Sequence, residues 1–149
     1  MKEIKVLIFK LGKEFYATNI MEVERILGYE NPTILPDSPE FLEGIINYEN
    51  TVLPIINLAS KFNLDELKDI DKKIIVIKRE NLKFGILVDS VTEVITILEE
   101  NIKSPSSLKT LISKKYINGF IKEKENIIIM INLEDILTLK EEEIIFQRW

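Results

Sequence analysis

Apolar positions along this chain come in short runs, and the breaks between runs carry turn residues. Residues 4–11 are dense in β-branched and large apolar residues, apolar on both faces, and Gly12-Lys13 turns them into residues 14–18, the pattern of a first hairpin. Asn19 is placed to cap a short helical turn, since Ile20, Val23 and Ile26 recur nearer every third position than every second. Residues 20–26 are therefore expected to pass from a turn into a strand. From 28 to 39 the chain carries Asn31, Pro32, Pro36, Asp37, Ser38 and Pro39, which predicts a loop. Ser38 before Pro39 predicts a capped helical turn over 39–43, ended by Gly44.

The next stretch, FLEGIINYENTVLPIINLASKF at 41–62, holds two apolar runs, 44–48 and 51–58, separated by Glu49-Asn50. Two residues between apolar runs predict a tight hairpin, whose turn needs positive φ; Asn50 suits that requirement. Pro54 cannot donate to a strand ladder, so it predicts an edge position or a bulge. An edge leaves backbone groups open to another chain.

Beyond it, residues 59–64 suggest a short helix and 65–73 a charged connection. Residues 74–78 and 84–89 form a third hairpin, 91–97 alternate as a strand, and 116–122 with 127–131 form a last hairpin. Asn132 is expected to open a helix running through Ile136, Leu137 and Leu139, with Glu134 and Asp135 in its first turn, where the helix dipole favours acids. Nine or ten short strands with little helix predict an all-β barrel or sandwich.

Composition narrows the chemistry. The 149 residues suit one domain, or two tight lobes, with a real core. A net charge of −5 argues against nucleic acid as a partner. Neither cysteine nor histidine occurs, which removes disulfides, thiolate and imidazole metal sites, and imidazole bases. No cofactor is expected: the five glycines are isolated, so no phosphate-cradling loop forms. No apolar run is long enough to cross a bilayer, so no direct membrane insertion is expected, and a soluble cytoplasmic protein is. Asp89 and Glu93 would share one face of a strand as a candidate acid pair, but without a base they point away from catalysis.

The order of motifs resembles the CheW family of bacterial chemotaxis adaptors. The family pattern G-[IV]-x-N-L-R-G-x-[IV]-x-P-[IV]-[IV]-D-L-R-x-x-F is matched here at Gly44, Ile45, Asn47, Pro54, Ile55, Ile56, Leu58 and Phe62. LGKEFY at 11–16 is similar to the family's opening hairpin, and VERILGY at 23–29 to its V-x-E-[IV]-x-x-Y segment. FGILVDSV at 84–91, YING at 116–119 and the segment 129–137 resemble three further family stretches in the same order.

The resemblance implies two five-stranded SH3-like barrels side by side, with short helices and a C-terminal helix. The expected division is a first barrel over roughly 14–70, a second over roughly 1–13 plus 71–138, and a helix and tail over 133–149. It further implies a non-catalytic adaptor that binds the regulatory domain of a CheA-type histidine kinase and the cytoplasmic tip of methyl-accepting chemoreceptors. The implied kinase-binding residues are Gly44, Asn47, Glu49 and Asn50; the implied receptor-binding residues are Val23, Arg25, Phe84, Gly85 and Val91. The chain ends at Trp149 with no kinase core or receiver domain, so a stand-alone adaptor is expected rather than a module of the kinase or of a CheV-type protein.

The departures from the family pattern matter. Its Leu-Arg-Gly turn is Tyr48-Glu49-Asn50 here, its Asp and Arg after the second strand are Asn57 and Ala59, and Arg25 replaces the usual acid. Arg25 and Glu49 are expected to form the family's ion pair with its signs reversed, which points to a dedicated or divergent partner. Plainer readings stand beside these. Gly44 serves either as the end of a helical turn or in the interface, and Gly85 marks a bulge or a close approach. Phe84, Val88 and Val91 suit a core, residues 141–143 suit a solvated helix face, and Phe146 with Trp149 suits docking on the body or on a partner. A small-ligand sensor barrel is the competing function from another class.

Overall fold

The computed structural model describes residues 2–67, 70–107 and 114–146. Ten strands are found among them: β1 (Glu3–Leu11), β2 (Glu14–Asn19), β3 (Val23–Gly28), β4 (Leu42–Tyr48), β5 (Thr51–Asn57), β6 (Lys73–Arg79), β7 (Leu82–Val88), β8 (Ser90–Leu98), β9 (Ile117–Glu123) and β10 (Asn126–Ile131). Two helices, α1 (Leu58–Lys61) and α2 (Leu139–Phe146), complete the main elements.

The strands form two five-stranded sheets, ordered β8-β1-β2-β10-β9 and β3-β6-β7-β5-β4. Both are built alike. Antiparallel neighbours are joined at one seam by a short parallel contact, β2 with β10 and β5 with β7. The two-subdomain SH3-like architecture is therefore present, but its division differs from the expected one. β2 belongs with β1, and β6 and β7 belong with β3 to β5, so one sheet is continuous from Val23 to Val88. Alternation tells which face of a strand is buried. It does not tell which distant strand lies alongside, and here the parallel contacts decide.

Three apolar clusters explain why β1 and β6 are apolar on both faces. Val6, Ile8, Ala17, Ile121 and Met130 fill the first sheet's own interior, and Leu53, Ile55, Ile74 and Val76 fill the second's. Leu7, Phe9, Ile75, Ile77, Phe84 and Ile86 point the other way, into one large cluster shared between the sheets. A strand buried on both faces loses its polar alternation.

The two sheets also repeat a local design. Gly44 and Gly119 each lie under a crossing backbone: an added Cβ would stand 2.3 Å from the Thr33 carbonyl oxygen in one case and 2.5 Å from that of Lys103 in the other. Each glycine is followed thirteen residues later by an Asn-Leu pair, Asn57-Leu58 and Asn132-Leu133, whose leucine is fully buried.

Local expectations were met at several turns. Asn19 accepts a hydrogen bond from the Met21 N–H at 3.0 Å and opens a 3-10 turn at Ile20–Glu22 that runs straight into β3. Four expectations need correction. Residues 39–43 make one hydrogen-bonded turn, with Leu42 N donating to Pro39 O, and β4 begins at Leu42. Ser38 donates its hydroxyl to the Leu35 carbonyl rather than capping a helix, and Gly44 lies within β4 at a bulge. The helix expected from Asn132 is split into a 3-10 turn at Leu133–Asp135 and α2. Thr138 restarts it with a capping box: Glu141 N donates to Thr138 Oγ1 at 3.1 Å, and Thr138 N donates to Glu141 Oε1 at 2.8 Å.

The acids of 141–143 are not simply a solvated face. Glu141 pairs with the largely buried Lys61, and Glu142, itself buried, pairs with Arg79. Ile145 is fully buried, and the Phe146 ring meets Phe84 at 6.5 Å in an edge-on arrangement, so Phe146 docks on the body. Trp149 lies outside the described residues.

Candidate binding surface

The turn between β4 and β5 has the conformation that its sequence requires. Glu49 and Asn50 both have positive φ, 48° and 64°, as a two-residue hairpin turn of the twisted kind demands. Pro54 stands where β5 has β4 beside it but not yet β7, whose parallel pairing starts at Ile55. The expectation of an edge-like position holds for that half of the strand.

Side chains from three strands meet behind the turn. Along β4, Leu42, Gly44, Ile46 and Tyr48 face inward. Tyr48 is buried at 5% exposure, so its hydroxyl needs a partner, and it donates to Glu24 Oε2 on β3 at 2.6 Å. Glu24 also receives Lys83 Nζ from β7 at 3.1 Å. The guanidinium of Arg25 and the ammonium of Lys83 each lie 5.7 Å from the centre of the Tyr48 ring, within cation–π range. Arg25 Nη2 in turn reaches Glu49 Oε1 at 3.7 Å. The hydrogen bond from Tyr48, aided by Lys83, holds the Glu24 carboxyl below its ordinary value. Burial, and then the bond to Glu24, push the Tyr48 phenol well above its own, so it remains a donor at any physiological pH.

The expected reversed pair is thus present, with Arg25 and Glu49 each about half exposed. The residues around it extend beyond that pair. Tyr48 replaces an apolar family residue at an inward position, and a buried phenol must find an acceptor. That signal was available in the sequence and points to an acid on the neighbouring strand.

The kinase-side set is mostly surface. Asn47, Glu49 and Asn50 are exposed on the hairpin, and Asn47 and Asn50 line an open groove of about 390 Å³ with Asn31, Thr33 and Val52. Gly44 is buried beneath Thr33 and supports the hairpin from below. The receptor-side set is mostly not surface. Arg25 is exposed and Val23 and Val91 are half-buried, but Phe84 and Gly85 are interior. An added Cβ on Gly85 would lie 2.7 Å from both Ile55 and Ile74, so its lack of a side chain serves core packing. Buried side chains offer a partner no contact, so any part played by Phe84 and Gly85 is indirect.

Asp89 and Glu93 do not form an acid pair on one strand. Asp89 sits between β7 and β8 and accepts the Gly12 N–H at 2.6 Å, tying down the β1–β2 turn. Among the described residues no group of three acids could hold a metal ion, and no helix is long and apolar enough to cross a membrane.

The chain is similar to known proteins in family pattern, sequence and fold. The family described as CheW-like domain matches residues 5–141. The chain is 30% identical over 145 residues to chemotaxis protein CheW of Treponema pallidum, covering 94% of this chain and 85% of that protein. It is also 30% identical over 136 residues to chemotaxis protein CheW of Klebsiella aerogenes, covering 91% of this chain and 82% of that one. The fold is similar to the crystal structure of scaffolding protein TtCheW from Thermoanaerobacter tengcongensis, with a TM-score of 0.85, 30% identity, and coverage of 95% of this chain and 92% of that one.

Proposed function

The chain belongs to the CheW-like domain family, and on that premise we propose that it is a non-catalytic adaptor of chemotaxis signalling. It links the regulatory domain of a CheA-type histidine kinase to the cytoplasmic tips of chemoreceptors. The kinase side is the β4–β5 hairpin with Asn47, Glu49 and Asn50, held up by Gly44. The receptor side uses Arg25, Val23 and Val91, with Phe84 and Gly85 fixing the strands beneath them.

The observation that most supports this reading is the linked cluster Lys83–Glu24–Tyr48–Arg25–Glu49. It ties the exposed hairpin tip to β3 and β7 through hydrogen bonds, ring contacts and an ion pair. A tip held in this way presents its charges in a fixed pattern, which favours specificity and encounter rate. Where the two surfaces share a conformational equilibrium, a bias imposed at one is felt at the other. The reversed polarity of Arg25 and Glu49 fits a partner with complementary charges, and so a dedicated kinase or receptor.

Calorimetric titration against the regulatory domain of the CheA-type kinase from the same source tests the reading. Micromolar or tighter binding, weakened by hairpin-tip substitutions, is the expected result. No binding at the solubility limit would overturn it.

A further inference from the structure

β4 is an outer strand of its sheet, and one contact shows what its free side does. Thr33 N donates to Ile45 O at 2.8 Å, and Ile45 N donates to Thr33 O at 2.9 Å. Ile45 therefore turns both backbone groups away from β5. Its opposite number there is Pro54, which has no N–H to offer.

Hydrogen-bonded and non-bonded positions alternate along an antiparallel pair. The register runs without a shift from Ile45↔Pro54 through Asn47↔Val52 to the turn. The N–H and C=O of Asn47 consequently point outward as those of Ile45 do. Among the described residues no strand or bridge meets them. The pairing segment breaks off at Pro32, and Asn31 lines the same open groove as Asn47.

The groove also states what would fill it. Among the described residues, Glu30 is the one charged side chain lining it, and Val52 is an exposed apolar one, at 42%. We infer that the Asn47 edge of β4 accepts an extended segment of a partner protein as an added antiparallel strand, one that carries an apolar residue beside a lysine or arginine. The segment continues the pairing that Thr33 begins. Its backbone bonds to Asn47, its apolar side chain covers Val52, and its cation faces Glu30. Main-chain bonds supply affinity in such strand addition, and the flanking side chains supply selectivity. The inference deepens the adaptor reading and rests on it only for the identity of the partner.

The test follows amide hydrogen exchange at Asn47 in the full chain with two probes. One is the blocked peptide Thr-Val-Lys-Val-Thr, alongside a backbone N-methylated version and a version with Glu for Lys. The other is the CheA-type regulatory domain. The expected result is that exchange at Asn47 slows by roughly tenfold or more with the unmodified peptide and with the domain. The N-methylated and acidic peptides should give no slowing, and Glu30→Lys should weaken the response to the basic peptide. A domain that binds and leaves Asn47 exchange unchanged overturns the inference while the adaptor reading stands. Protection by the peptide with no binding of the domain does the reverse. No protection by either probe overturns the inference outright.

Discussion

Arg25 on β3 and Glu49 at the tip of the β4–β5 hairpin face each other at 3.7 Å, with the Arg25 guanidinium also lying over the Tyr48 ring. Both side chains are about half in water, so the pair contributes only about 0–1 kcal/mol to stability. Its consequence lies in binding. Glu49→Arg should leave the urea midpoint almost unmoved and weaken association with the kinase regulatory domain. Adding Arg25→Glu should restore much of the loss. Coupling between the two changes in a double-mutant cycle on affinity is the quantity to measure, and additivity would show that the pair acts as two separate charges.

Tyr48→Phe keeps the ring and removes the hydroxyl that binds Glu24. Glu24 retains Lys83, so the loss should be about 1 kcal/mol, near that of an ordinary hydrogen bond. Denaturant unfolding measures that loss, and hydrogen exchange at the paired positions Tyr48 and Thr51 should rise in step if the cluster steadies the hairpin.

Glycines that make way for other groups should tolerate no methyl. Gly85→Ala drives a Cβ into Ile55 and Ile74 and should cost about 1–3 kcal/mol, the usual range for overpacking. Gly44→Ala meets backbone at 2.3 Å with φ at 146°, and it should also break the Thr33–Ile45 pairing. Its larger loss of urea midpoint, with faster exchange at Ile45, distinguishes the two variants.

Arg79 and Glu142 hold α2 against the second sheet from largely buried positions. Arg79→Met leaves the Glu142 carboxylate buried without its cation and should cost about 3 kcal/mol. The double change Arg79→Met with Glu142→Leu should recover most of that. A double variant as unstable as the single one would show that the helix depends on the charge pair itself.

The pair Lys61–Glu141 makes part of the stability sensitive to acid. Burial raises the Glu141 carboxyl, but hydrogen bonds from Lys61 and Thr138 outweigh it and bring the group below its ordinary value of 4.5. The folded state then binds fewer protons than the unfolded one, so this contribution is full above about pH 4.5 and is lost as pH falls through the lower folded value. Glu141→Gln should flatten the acid limb of a stability-versus-pH curve. Glu22 works in the opposite sense, since burial raises its carboxyl and its ionisation opposes folding as pH rises.

The strands, the hairpin turns and the family are legible in the residue pattern. Each of these depends on local chemistry: alternation for strands, Asn50 for a turn with positive φ, and Asn19 for a cap. The reversed Arg25–Glu49 pair was also legible, because motif positions carry spatial neighbours with them. The tertiary structure alone decided which strands share a sheet. The deciding contacts, β2 with β10 and β5 with β7, join residues far apart in the chain, and a period of two reads the same in either sheet. It likewise decided that Gly44 makes room for Thr33, that Phe84 and Gly85 belong to the interior, and that the acids of α2 meet Lys61 and Arg79. Each of those outcomes depends on what packs against a residue from elsewhere in the chain, and local pattern carries no record of that.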